Sequence, residues 1–246
     1  MQAQRVPPNG TDWIKYMILS YKKITSSALR KIERILFYHQ YKMYISRRGF
    51  WFVDIPRTSG SSIMQEINKY YPFKNESKFR IQQHMPAIKA RKFLGISKWD
   101  NKILTFSLVR NPWSRCLSLY NWFINHGYYT DLNFTDYVFE IEKYYQGEQS
   151  RVSESYITHF GSWDYITDEK GNVIVDLIGK FEDRESFLKK IGNIIKIPEF
   201  GSQFNDYKHQ VNMYGKYSHE YNNKTKDIIA RIYSREIQFF GYQFGD

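Results

Sequence analysis

Cysteine is nearly absent. Cys116 is the one cysteine of the 246-residue chain, which excludes an intrachain disulfide and a cysteine-ligated metal cluster and ties the protein to no redox compartment. Acidic residues are also in short supply: 25 Asp and Glu face 36 Lys and Arg, a formal charge of +11. That balance suits polyanions, whether nucleic acid, anionic membrane, phosphorylated cofactor or acidic glycan. Long apolar runs are missing too. The opening MQAQRVPPNGTDW lacks the apolar core of a signal peptide, and WIKYMILSYKK is too short and too charged to span a bilayer. The expectation is a soluble, cytoplasmic chain.

What is present is core-forming material. Apolar residues make up 42% and aromatics 18%, enough to exclude a disordered tail and to build a buried core. The stretch 13–44 has helical spacing, with Leu29, Ile32 and Leu36 on one stripe and Arg30, Lys31 and Arg34 beside it. It reads as a basic helical extension, residues 1–47, packed on the rest or touching a membrane surface. Residues 48–246 read as one domain, with no repeat, low-complexity tract or linker to split it.

Within that domain the pattern alternates. FWFVDI, 50–55, reads as a buried strand and 62–70 as a helix; ILTFSLV, 103–109, is a second strand, followed by a helix over 113–125 with Pro112 at its start. Helices are expected at 87–94, 134–145, 187–195 and 225–239, and a third strand at 173–181 after the turn Asp168-Glu-Lys-Gly-Asn172. Strands alternating with helices predict an α/β domain with a central, mostly parallel sheet flanked by helices.

The two strand-to-helix turns carry the chemistry. IPRTSGSSI, 55–63, joins a strand to a helix through Arg57, Thr58, Ser59, Gly60, Ser61 and Ser62. Unpaired N–H groups and the positive end of the helix dipole face such a turn, small residues admit a phosphate, and arginine can fork onto its oxygens. Serines and a glycine at a helix start are also ordinary caps. The pattern G-x-x-x-x-G-K-[ST] is not met, which argues against a metal-dependent nucleotidase. The second turn adds Arg110 at a strand end, with Arg115 and Ser118 on the helix that follows. Two basic, hydroxyl-bearing turns would lie at the carboxyl edge of one sheet, where ligands of open α/β sheets bind. They suit one ligand with two phosphate-like groups.

IPRTSGSSI, followed some fifty residues later by FSLVRNPWSRCLSLYNWF, resembles the paired cofactor motifs of carbohydrate-type sulfotransferases, IPKTGGTS and FxFVRNPWDRxxSxY. His84-Met-Pro-Ala, Trp99-Asp100, DEKGNVIVDLIGKFED at 168–183 and IYSREIQFFGYQF at 232–244 are similar to the same group. The likeness covers residue 48 to the end. It implies a P-loop-like sulfotransferase fold and a sulfuryl donor, 3′-phosphoadenosine-5′-phosphosulfate (PAPS). Arg57 to Ser62 would hold the 5′-phosphosulfate, Arg110 and Ser118 the 3′-phosphate, and Lys208 would belong to a basic loop closing over the nucleotide. The acceptor would be a hydroxyl, with a saccharide as the class the resemblance points to, and no metal is implied.

Two points stay open at this level. Arg57 stands where the family usually has lysine; it can stabilise a leaving phosphate but is a poor proton donor, since it stays protonated. For the base that takes the acceptor proton, His84 is the leading candidate, with Glu66 and Glu182 as alternatives. Trp113 and Trp122 are candidate sugar-stacking groups or core residues. A nucleotide kinase-like enzyme lacks the expected Lys-Ser pair and acidic metal ligands, a nucleic-acid binder lacks a recognised motif, and an inactive sulfotransferase-like scaffold remains a third reading.

Overall fold

The run FWFV forms β1 (Phe50–Val53) and LTFSLV forms β2 (Leu104–Val109), both buried along their length apart from the half-buried Leu104 at the start of β2. Such unbroken burial is what a parallel strand covered on both faces requires. A third strand, β3 (Leu177–Lys180), completes a sheet of order β1-β2-β3 in which every pairing is parallel, with Val53 opposite Ser107 and Val109 opposite Lys180. This is a computed structural model of the chain; it describes residues 43, 45–72, 84–93, 103–152, 161–202 and 217–246.

Eight α-helices follow β1 among the described residues: α1 (Gly60–Tyr70), α2 (Ala87–Phe93), α3 (Pro112–Asn125), α4 (Phe134–Tyr145), α5 (Ser162–Ile166), α6 (Arg184–Ile195), α7 (Asn223–Ile232) and α8 (Ser234–Phe240). Alternate side chains of the strands serve different layers. Phe50, Phe52, Phe106 and Leu108 pack against Ile63 and Ile67 of α1 and Leu188 and Ile191 of α6. Val53 and Val109 turn the other way, towards Ala87 of α2 and Tyr165 and Ile166 of α5. Each such fully buried side chain contributes about 1.5–3 kcal/mol relative to an exposed one. A separate helical core forms where α3, α4 and α7 meet, around Trp113, Leu117, Phe123, Tyr137 and Ile229.

The chain therefore has the expected α/β architecture with helices flanking a parallel sheet, and three elements depart from the sequence reading. The third strand is shorter than the apolar run 173–181. Val173 pairs instead with Thr167 in an antiparallel bridge that closes the turn at Asp168, and Asp176 Oδ2 accepts from the backbone N–H and the hydroxyl of Thr105, at 2.7 and 2.6 Å. A side chain thus takes over where the ladder would continue. The helix expected over 225–239 breaks at Tyr233 into α7 and α8. The break brings Glu236 inward, where its Oε2 accepts from the Trp163 N–H at 3.0 Å. The third, α5, is too short for periodicity to reveal.

Contacts divide the chain into residues 1–47 and 48–246. The basic helix expected over 13–44 lies almost wholly outside the described residues. Among those described, no helix is long and apolar enough to cross a membrane.

Candidate functional site at the carboxyl edge of the sheet

The turn after β1 is built to leave its helix end open. Arg57 and Ser59 both take left-handed backbone angles, φ 68° and 70°, at a cost of roughly 1 kcal/mol or more each for residues bearing a Cβ. Thr58 between them is fully buried and its hydroxyl donates to the Ile55 carbonyl at 2.8 Å, which pins the turn. Ser59 stands at the cap position of α1 but makes no side-chain cap bond; its carbonyl accepts from Ile63 N–H at 3.0 Å. The first N–H groups of α1 are left without that cap, at the positive end of the helix. Ser61 is exposed and Ser62 half-buried beside them. Gly60 is required by space: a Cβ there would fall 1.8 Å from Asp54 Oδ1.

The turn after β2 is closed. The Asn111 side chain caps α3, accepting from the N–H groups of Trp113 and Ser114 at 3.1 and 3.4 Å, and Pro112 occupies the first helical position, where a missing N–H costs nothing. Arg110, just before the cap, reaches back to the first turn. Its Nη1 donates to the Arg57 carbonyl at 3.1 Å, its Nε and Nη2 donate to Ser114 Oγ at 3.0 and 2.9 Å, and its guanidinium lies 4.4 Å from the centre of the Phe181 ring. Arg57 answers by donating from Nε to Ser118 Oγ at 3.0 Å. The two turns form one continuous site.

That site is crowded with positive charge. Burial, helped by the nearby cations Arg57, Arg115 and Arg184, pushes Arg110 down to about 10, with Glu182 opposing the shift. Burial lowers Arg57 as well. Arg184 lies against the same Phe181 ring, its guanidinium 4.9 Å from the ring centre. Arg115 takes a different course from the one its sequence position suggested. It is 2% exposed, lies 5.3 Å from the Tyr233 ring centre, and is held charged by Glu236; it belongs to the core behind the site.

His84 stands before α2 with its Nδ1 3.3 Å from Asp54 Oδ2. Burial pushes the imidazole below its ordinary value; a contact with the Asp54 backbone opposes this, and Arg57 adds to the lowering. The ring is thus neutral near pH 7, the state in which it can accept a proton. The rival carboxylates are engaged elsewhere. Both oxygens of buried Glu66 accept from Gly201 N–H, at 3.1 and 3.2 Å, and Glu182 accepts from Asn111 N–H and the Tyr242 hydroxyl.

Trp113 is core, its indole N–H donating to the Lys226 carbonyl, while Trp122 is half-buried and stacks on His126 with ring centres 4.3 Å apart. Lys208 lies outside the described residues. Three residues of the site were not singled out from sequence: Asp54, Ser114 and Phe181. Asp54 had a signal, a charge at the end of an apolar run; the other two are recognisable only through Arg110, which touches both. Among the described residues, no group of three or more His, Cys, Asp or Glu is gathered to hold a metal ion. Compared with models of protein families, with curated proteins and with solved structures, the chain matches none.

Proposed function

We propose that the chain is a PAPS-dependent sulfotransferase of the carbohydrate type, with a P-loop-like sulfotransferase fold, that transfers a sulfuryl group to a saccharide hydroxyl. One observation carries the reading: Arg57 and Arg110, 53 residues apart, meet at the open N-terminus of α1 and crowd each other there. Cations pressed together against their own charge are a site that an anion relieves. The donor set fits phosphate and sulfate oxygens, since it consists of guanidinium N–H, serine hydroxyls and backbone N–H at a helix start. PAPS, when bound, supplies the sulfuryl group and departs as the bisphosphate, keeping the electron pair of the broken S–O bond on its phosphate oxygen.

The chain's residues divide the remaining work. Arg57 holds a fixed charge beside the turn and offsets the negative charge that grows on the leaving oxygen; it gives up no proton. Arg110 and Ser118, which reach Arg57 at its carbonyl and at its Nε, hold the 3′-phosphate, while Ser59 to Ser62 leave backbone N–H groups open for the 5′-phosphosulfate. His84 takes the proton released when the acceptor O–H bond gives way to the new O–S bond.

A thermal-shift titration with 3′,5′-adenosine bisphosphate, run beside 5′-AMP, tests the reading. At a hundredfold excess over Kd a native-state ligand adds about 2.7 kcal/mol, which for a chain of this size raises the midpoint by roughly 5 to 11 °C. The expected result is a clear rise with the bisphosphate and little with AMP. Equal responses would point to a general nucleotide enzyme, and no response to either would remove the donor assignment.

A further inference from the structure

Asp54 is the one buried charge at the site that the proposed reaction leaves without a task. It is 4% exposed at the end of β1, and its Oδ1 has no hydrogen-bond partner among the described residues. A carboxyl in that position is costly. The surroundings are nonetheless shaped to hold it: Gly60 has no Cβ to collide with Oδ1, and the backbone N–H of His84 donates to the carboxyl. His84 itself sits at φ 62°, a strained backbone state that persists only where the surroundings impose it. That strain brings both the N–H and the ring of one residue against one carboxyl.

We infer that Asp54 is a positioning residue for His84: it draws the ring proton to Nδ1, fixes that tautomer, and leaves Nε2 as the nitrogen that accepts a proton. At 3.3 Å Nδ1 and Oδ2 are within ion-pair reach but do not form a hydrogen bond, and Nδ1 is buried without another hydrogen-bond partner among the described residues; catalytic hydrogen bonds are often long before substrate binds and tighten in the complex. Two ring nitrogens of a free imidazole compete for one proton, and a carboxyl beside one of them decides the outcome. The groups facing the pair are the Asp54 backbone and Arg57, which act on the His84 ring, and the phenol of Tyr165 from α5, which faces Asp54. Arg57 stays charged and burial holds the Tyr165 phenol protonated, so only Asp54 and His84 exchange a proton near neutrality. This assignment rests on the sulfotransferase reading for what the base acts on, and not for the pairing itself.

The test reads the tautomer directly. The full chain is labelled with ¹⁵N-histidine, and the His84 resonances are identified by their loss in His84→Gln. At about pH 8, where an imidazole is neutral, the wild-type ring should show a protonated Nδ1 and an unprotonated Nε2. Asp54→Asn should shift it to a tautomer mixture, lower kcat by roughly 10- to 100-fold as loss of an orienting partner does elsewhere, and leave bisphosphate affinity unchanged. A wild-type ring protonated on Nε2, or a tautomer that ignores Asp54→Asn, overturns the proposal; the first outcome needs no folded Asp54 variant. Because the spectrum is taken without donor or acceptor, a correct tautomer in a chain with no PAPS turnover would uphold the pair and reject the sulfotransferase reading.

Discussion

The two strand-to-helix turns share a plan and differ in how they end their strands. After β2, Asn111 satisfies two N–H groups of α3, its own N–H donates to Glu182, and its amide donates to the Gln243 carbonyl. After β1, Ser59 satisfies none, two residues sit in left-handed strain, and a carboxyl is buried with one oxygen unpartnered. One turn is finished by its own side chains; the other is held open at an energetic cost. Strain and unmet polar groups concentrate where a ligand or a reaction is to be served. The closed turn carries Arg110, Ser114 and Ser118 to the open one and keeps them still.

The comparison breaks most visibly at Arg110. Arg110→Ala should weaken bisphosphate binding by roughly 10- to 100-fold, the worth of hydrogen bonds to a charged group, read by calorimetric titration. Unchanged affinity would mean that the second turn only props up the first. A smaller effect separates the caps. Asn111→Ala should cost about 1 kcal/mol or more, a fall of roughly 2–4 °C in Tm, whereas Ser59→Ala should stay within about 0.5 kcal/mol. Equal losses in the two variants would show that Ser59 does cap α1 in solution.

The subtlest effect concerns pH. Burial raises Asp54 from 3.8 to about 7 in the folded chain. Between those values the native state holds a proton that the unfolded chain has released, so this group's contribution to stability is full at low pH and is lost as pH rises through about 7. Asparagine removes the buried charge. Asp54→Asn should therefore raise Tm relative to wild type more at about pH 8 than at about pH 5; the reverse order in a pair of melting curves would show that His84 keeps the carboxylate stable in its ionised form.

Much of the fold was legible because its signals are local. The run FWFV, the run LTFSLV and Pro112 after Arg110 mark two strand-turn-helix units by composition alone, and the spacing of Ile228, Ile229, Ile232 and Ile237 marks an inward face on which the first two are buried and the others partly so. What escaped depended on distant partners. The stretch 173–181 reads as one mostly apolar strand, yet Asp176 within it is drawn to Thr105, 71 residues away. Tyr233 continues a helical pattern, yet the chain bends there and Glu236 meets Trp163, 73 residues away. Arg115 looked like a partner of Ser118 in the site, and Glu236 and Tyr233 claim it for the core.

By itself the sequence determined that two turns rich in small or hydroxyl residues, each with an arginine, would lie at the ends of parallel strands. Hydrophobic periodicity and turn chemistry act within a few residues, and those suffice for elements and their order. Tertiary structure alone decided that β1 and β2 lie side by side, so that Arg110 reaches the Arg57 carbonyl. It also decided that Asp54 and His84, 30 positions apart in the chain, lie side by side. Charge and hydrogen bonding act through distance in space, and no local pattern records which carboxyl a given histidine will meet.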